Sequence, residues 1–218
     1  NFSIIMAWER ARTDEQKEVR VAEIVEATAR LYETRGFEDI NLSLIAKEAK
    51  FTRSNLYKYF TSKEEIFLEF IKRDTELWRQ DVLAVYEQGR AYSVKEFAAI
   101  WTRVLVRHPR FLRLQSILYT ILEKNVSVQS LVDFKRRLNE DFSAVVDLMC
   151  TALPACNSGK AAEFILLQSA MASGLYAMTN ISDVQQEVLD MPEFEHYRVD
   201  FTIAFQDAVE YLLQGVLG

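Results

Sequence analysis

Ile40-Asn-Leu-Ser-Leu-Ile-Ala-Lys-Glu-Ala-Lys-Phe-Thr-Arg-Ser-Asn-Leu-Tyr-Lys-Tyr-Phe60 is the stretch on which the reading of this chain turns. Asn41 and Thr52 are residue types whose side-chain oxygens cap helix N-termini, so the stretch predicts two short helices, over 42–49 and 53–60, joined by three or four residues. Apolar Ile45, Ala46 and Ala49 of the first face Phe51, Leu56 and Phe60 of the second, and the alanines are small enough for a close crossing. This is a helix-turn-helix. The second helix leaves Arg53, Ser54, Asn55, Tyr57, Lys58 and Tyr59 pointing outward, hydrogen-bonding side chains with little apolar surface, and such a face suits a major groove. Within residues 47–63, Lys47, Lys50, Arg53, Lys58 and Lys63 are opposed by Glu48 alone, so the tip is basic. The same features also fit a solvated helical hairpin, or a non-catalytic interaction module whose basic tip binds an acidic protein.

Working outward, Thr13-Asp-Glu-Gln16 forms a capping box, Val21, Ile24, Val25, Thr28, Leu31 and Tyr32 follow at helical spacing, and Gly36 supplies the stop. That predicts a helix over 13–35. Ser62-Lys-Glu-Glu65 is a second capping box, opening a long helix to about Gln88, with only Thr61 between Phe60 and the cap. Further helices are predicted from Ser93 to His108-Pro109, from Pro109 to about Lys124, over 126–153 up to Pro154, over 158–179, and over 195–214. Residues 180–194 read as a loop with one helical turn. With 6 glycines and 3 prolines in 218 residues and no strand pattern, a turn-rich sandwich or barrel is excluded. The fold class is all-α, divided into an arm (1–12), a helix-turn-helix DNA-binding domain (13–61) and a further helical bundle (62–218).

Half the residues are apolar and 27% are charged, which is a folded protein, and the formal charge of −6 rules out coating nucleic acid by bulk charge. Cys150 and Cys156 read as reduced thiols. Phe164 to Met178, the most apolar segment, is interrupted by Gln168, Ser169 and Ser173 and is too short for a membrane span. The first five residues lack the pattern of a signal peptide and Met6 is a candidate native start, so the expected location is the cytoplasm, with no membrane partner. An enzymatic reading fails on its parts. Glu193-Phe-Glu-His196 has the Glu-x-x-His spacing of a di-iron bundle, but a second such motif is missing because Leu105 stands three residues before His108. Nucleophile elbows, phosphate loops and paired-Cys zinc spacings are also absent, and no metal or cofactor is expected.

The pattern Gly36-Phe37, Ile45-Ala46, Leu56-Tyr57-Lys58-Tyr59-Phe60 and Ser62-Lys63-Glu64, spanning roughly residues 18–68, resembles the TetR family of one-component bacterial transcription repressors. The resemblance implies that Tyr57 and Lys63 contact DNA phosphates, that Thr52 caps the reading helix with its N-terminus near a phosphate, and that Arg53, Ser54, Asn55 and Lys58 reach base edges. Asn41, Ser43 and Tyr59 complete the expected DNA-contacting set, Tyr59 standing where His is frequent. One position departs from the family: its turn commonly carries Ala-Gly, whereas this chain has Ala49-Lys50, which puts a side chain in what is often a left-handed conformation. Ahead of the first helix, Trp8-Glu-Arg10-Ala-Arg12 reads either as a minor-groove arm or as a frayed terminus.

For the remainder the resemblance implies a ligand-binding and dimerisation domain over 62–218; the expected protein is a homodimer on a pseudo-palindromic operator, with a small apolar or aromatic effector that shifts the population away from the DNA-binding form by moving the long helix that starts at Ser62. Ala170 and Gly174 of the 158–179 helix and Phe201 and Phe205 of the last helix are the expected dimer contacts, though such faces also suit a buried intrachain pair. The expected effector pocket is Trp101, Phe111, Leu114, Met149, Gln168 and Met171, with Gln168 as the orienting polar group. Arg107 and His108 read as satisfying helix carbonyls, or as guarding the entrance.

Overall fold

The computed structural model describes the backbone of residues 2–218 and the side chains of residues 15–218. Its α-helices are α1 (Phe2–Thr34), α2 (Leu42–Glu48), α3 (Arg53–Leu56), α4 (Lys63–Val85), α5 (Val94–Val106), α6 (Pro109–Ile117), α7 (Val128–Ala152), α8 (Ser158–Thr179), α9 (Asp183–Leu189) and α10 (Phe201–Leu217). A π-helical turn at Leu118–Leu122 and 3-10 turns at Glu123–Asn125 and Glu195–Tyr197 join them. No strand occurs among the described residues, and none of their helices is long and apolar enough to cross a membrane. The chain is all-α, as its sequence pattern requires.

Several boundaries differ from the sequence reading for identifiable reasons. α1 passes straight through the capping box at Thr13, because residues 2–12 contain no Gly or Pro to stop a helix. The side chains of the arm, Arg10 and Arg12 included, lie outside the described residues. The helix expected over 109–124 breaks at Leu118, where Ile117, Thr120 and Ile121 supply β-branched side chains of low helix propensity and the ladder gains a residue per turn. α9 forms two turns where one was expected, since Ser182 and Gln185 cap it reciprocally. The last helix starts at Phe201, capped by Asp200, rather than at residue 195.

The chain divides into two compact units, one of residues up to Phe70 together with Asn125–Ser130, the other of Ile71–Lys124 and Leu131–Gly218. In the first, the core is Ile24, Ile40, Ile45, Leu56, Ile66 and Phe67, each fully buried. The Phe67 ring receives the edges of Tyr32 and Phe37 at 5.2 and 4.9 Å between centroids. In the second, Trp78 meets Trp101 edge to face at 5.3 Å and stacks on Phe111 at 5.7 Å, while Trp101 also packs against Phe97 and Phe164. α10 packs on α8 and α5, and α6 packs on α8. The buried Asp74 carboxylate is held bidentately by Arg110 at 2.8 and 2.7 Å.

α2 ends in a Schellman motif: the amide of Phe51 donates to the Ala46 carbonyl at 2.8 Å, that of Lys50 donates to Lys47 at 3.2 Å, and Lys50 itself sits at φ 60°. Here the left-handed residue is a lysine, as its place in the turn foretold. Replacing Lys50 by Gly is expected to raise stability by about 0.5–1 kcal/mol, relief of left-handed strain exceeding the added entropy of the unfolded chain. Thermal unfolding of the two proteins checks this, and an equal or lower melting temperature for Lys50→Gly refutes it.

Candidate nucleic-acid interface and effector cavity

Thr52 accepts a hydrogen bond from the Asn55 amide at 3.2 Å, and Asn41 accepts from Ser43 and Leu44, both at 3.0 Å, so the caps of both short helices form. α3 is shorter than expected. After Leu56 the amides of Lys58 and Tyr59 reach back three residues, to Asn55 and Leu56, which tightens the last turn, while the Phe60 amide still reaches the Leu56 carbonyl at 3.1 Å. Burial of Leu56 and Phe60 fixes the outward direction of the rest. Asn41, Ser43, Thr52, Arg53, Ser54, Tyr57 and Lys58 are exposed together, and Asn55, Tyr59 and Lys63 are half-buried.

The outward face is partly pre-ordered. Arg53 donates to the Tyr57 hydroxyl at 3.1 Å with its guanidinium 5.6 Å from the ring centre, so both side chains hold a common orientation. Tyr59 turns its ring against Phe51, and Arg20 of α1 lies over the other partner in that contact, 5.7 Å from the Phe51 centroid. Glu48, the one acid of the basic tip, is bound by Arg30 at 2.8 Å. Lys63 is a structural anchor: its ammonium donates to the carbonyls of Phe37 and Ile40 at 2.9 and 3.0 Å and stands 3.9 Å from the centre of the Phe37 ring. Two of its three donors are thereby used within the chain.

Glu65 is a connecting residue that sequence reasoning took only as part of a capping box. Its Oε2 accepts from the Thr61 amide and hydroxyl at 2.8 and 2.9 Å, and its Oε1 accepts from Ser130 at 2.7 Å and Ser127 at 3.4 Å. The carboxylate thus ties Thr61, just after the turn that ends α3, to the start of α7. Burial pushes its pKa upward, but the donors of Thr61, Ser130 and Ser127 outweigh burial and hold it below the ordinary glutamate value.

In the second unit a cavity of about 440 Å³ lies among α4, α6, the π turn, α7 and α8. Ile71, Phe111, Leu118, Phe134 and Ile165 form its buried apolar wall, with Thr75, Gln115 and Ser169 among them, and exposed Tyr119, Asn139, Ser143 and Asp147 line its open side. Of the six residues expected to bind an effector, Phe111 alone lines it. Trp101, Leu114 and Met149 are fully buried in the core, and Met171 is exposed. Gln168 is consumed by the protein itself, accepting from the Trp101 indole at 3.3 Å and donating to Ser169 at 2.9 Å. His108 pairs with Asp81 at 2.9 Å and Arg107 is the C-cap residue of α5.

Ala170 and Gly174 lie on the exposed face of α8 beside Leu166, Leu167, Met171 and Met178. Phe201 is half-buried. Phe205 is fully buried within its own chain, so it is not available to a partner, and the outward apolar residues of α10 are Ile203 and Tyr211. Cys150 and Cys156 are free thiols, and burial, with the neighbouring Cys150, raises the pKa of Cys156 to about 11.

Residues 24–70 match the family described as bacterial regulatory proteins, tetR family, and residues 72–218 match the tetracyclin repressor-like C-terminal domain. Two uncharacterised HTH-type transcriptional regulators of Bacillus subtilis (strain 168) are similar over short stretches: YfiR is 38% identical over 60 residues and YdgC is 46% identical over 48. These stretches cover 28% and 22% of this chain and only 29% and 25% of the two relatives. The fold resembles that of Thermus thermophilus FadR, a TetR family repressor solved with lauroyl-CoA (TM-score 0.57, 18% identity, covering 89% of this chain and 94% of that one). It also resembles a TetR regulator from Rhodococcus sp. RHA1 (TM-score 0.55, 18% identity, covering 90% and 96%).

Because the folded pKa of Glu65 lies below its unfolded value, its contribution to stability is present above the usual glutamate range and is lost as pH falls through the folded pKa. Glu65→Gln is therefore expected to lower stability at pH 7 by about 1–3 kcal/mol and to flatten the acid limb of the stability curve below about pH 4.3. Urea unfolding at pH 7 and at acid pH checks both; an acid limb as steep as the parent's would assign that loss to other carboxylates.

Proposed function

This chain belongs to the TetR family of bacterial transcriptional regulators, and on that premise we propose that it is a homodimeric repressor, released from a pseudo-palindromic operator when a small apolar effector fills the cavity of its second unit. The observation that carries this reading is the course of α4. The first turn of that one helix holds Thr61 through Glu65, and Ile71 and Thr75 further along it line the cavity. At 1.5 Å per residue, Glu65 and Ile71 are about 9 Å apart along the axis. An effector that favours a shifted α4 therefore acts on the reading helix through one continuous helix, and lowers DNA affinity by the factor by which DNA lowers its own, commonly ~5–150-fold.

Arg53, Ser54, Asn55 and Lys58 read base edges, Arg53 and Lys58 preferring guanine and Asn55 adenine by donor and acceptor geometry. Tyr57, Lys63 and the α2 N-terminus at Asn41 and Ser43 contact phosphates. Dimerisation uses the outward faces of α8 and α10 and sets two reading heads at one helical repeat, about 34 Å. Lauroyl-CoA, the ligand of the Thermus thermophilus FadR structure, belongs in the first effector panel.

Selection from randomised duplex DNA tests the reading directly: it should recover a pseudo-palindrome, and recovery of no preferred sequence would favour an acidic protein as the partner of the basic tip. On the recovered duplex, Arg53→Ala is expected to cost ~1–3 kcal/mol and to relax preference at one position per half-site, whereas Tyr57→Phe should weaken all duplexes alike. Equal loss on specific and random DNA for Arg53→Ala removes it from base reading.

Ala170→Glu places a charge on the exposed α8 face and is expected to give a folded monomer with poor operator affinity. Phe205→Glu buries the charge inside the subunit and is expected to unfold it. Sedimentation together with circular dichroism separates the two, and a dimer that survives Ala170→Glu places the interface elsewhere.

A further inference from the structure

We propose that the cavity of the second unit selects an uncharged lipophile bearing a hydroxyl group and discriminates against the carboxylate of the same chain length. The proposal rests on the reading of this cavity as the effector site and adds the chemical class of the effector.

Charge is the first observation. No Lys, Arg or His lines the cavity, and its one charged lining residue is Asp147, an acid on the open side. Lys135 lies 5.3 Å from the centre of the Tyr119 ring, but it is paired with Glu123 at 2.6 Å. A carboxylate entering here would leave water without gaining a counter-charge, and would meet Asp147 as a like charge.

Unmet hydrogen bonding is the second. Three polar groups of the lining are satisfied by the chain: Thr75 donates to the Ile71 carbonyl, Ser169 to Ile165 and Ser143 to Glu140. Gln115 differs. The residue is only 8% exposed, it lines the cavity, and its Oε1 is buried with no hydrogen-bond partner. The terminal torsion of a glutamine is soft, so rotation can present either end of the amide to an occupant. A hydroxyl both donates and accepts and so satisfies whichever end it meets, whereas a carboxylate only accepts. Size sets the rest of the molecule: about 440 Å³ is room for on the order of fifteen non-hydrogen atoms at the ~30 Å³ that a water occupies in the liquid.

Three probes of one chain length isolate the head group: 1-decanol, decanoate and decyltrimethylammonium. Trp78 reports on the site, because its ring stacks on Phe111 and lies 5.9 Å from Phe142, and both of those residues line the cavity. Titration of the intact protein at pH 7.5, followed by intrinsic fluorescence, should show 1-decanol binding at least about tenfold more tightly than either ion. Gln115→Leu and Gln115→Met, which keep the volume and remove the amide, should each weaken 1-decanol about tenfold and leave decanoate nearly unchanged. Decanoate or the ammonium ion binding as tightly as the alcohol overturns the proposal, as does unchanged alcohol affinity in both variants. Binding of 1-decanol without release of the selected operator duplex would uphold the ligand class and overturn the effector reading. Failure of all three probes to bind overturns both.

Discussion

A helix of four residues has no stability of its own, since nucleation alone costs more than one turn of hydrogen bonds returns. α3 exists because its surroundings leave it no alternative. Leu56 and Phe60 are buried, the Thr52 hydroxyl takes the Asn55 amide, and Glu65 grips Thr61 immediately after the last turn. These restraints act on the apolar side of the segment and at its two ends. The opposite side, with Arg53, Ser54, Tyr57 and Lys58, is therefore free to be chosen for what it touches outside the molecule. A longer helix could tolerate the loss of one restraint; this one has few to lose.

The same logic explains which parts of the fold were legible in the sequence. Caps act over three residues, so Asn41, Thr52 and Ser93 could be read directly, and each makes the bond expected of it. The left-handed Lys50 was legible because it stands where the turn of the TetR family commonly carries glycine, a residue chosen for that conformation. Glu65 was read only as the third residue after a cap. Its other partners, Ser127 and Ser130, lie more than sixty positions away and carry no motif that announces them. Gln168 failed as a ligand anchor for the same reason: the Trp101 indole that occupies it is 67 residues distant. Phe205 looked like one of a row of similar apolar residues along its helix. Which of them face inward is settled by α8 and α5, not by α10 itself.

Charge in the second unit is organised around a few buried acids rather than spread evenly. Asp74 is neutralised by Arg110, and half-exposed Glu76 collects Arg79, Gln80 and Arg137. Hydrogen bonds from Arg79 and then Gln80 hold the Glu76 pKa down to about 2, while burial, followed by Arg137 and Glu76 as opposing neighbours, leaves that of Asp141 raised. All of this lies on α4 and its neighbours α6 and α7, the helices that also wall the cavity. Arg79, Arg110 and Arg137 of these helices are committed to acids, and none of them lines the cavity.

The π turn at Leu118–Leu122 carries one residue more than an α-helical path of the same rise requires. Such a surplus is not absorbed gradually. It can move along a helix only by whole residues, each step turning the side chains it passes by about 100° around the axis. Leu118 and Tyr119, which lie within it, line the cavity. Any displacement of that surplus would therefore re-aim the wall in whole steps, more like the detents of a dial than the give of a hinge.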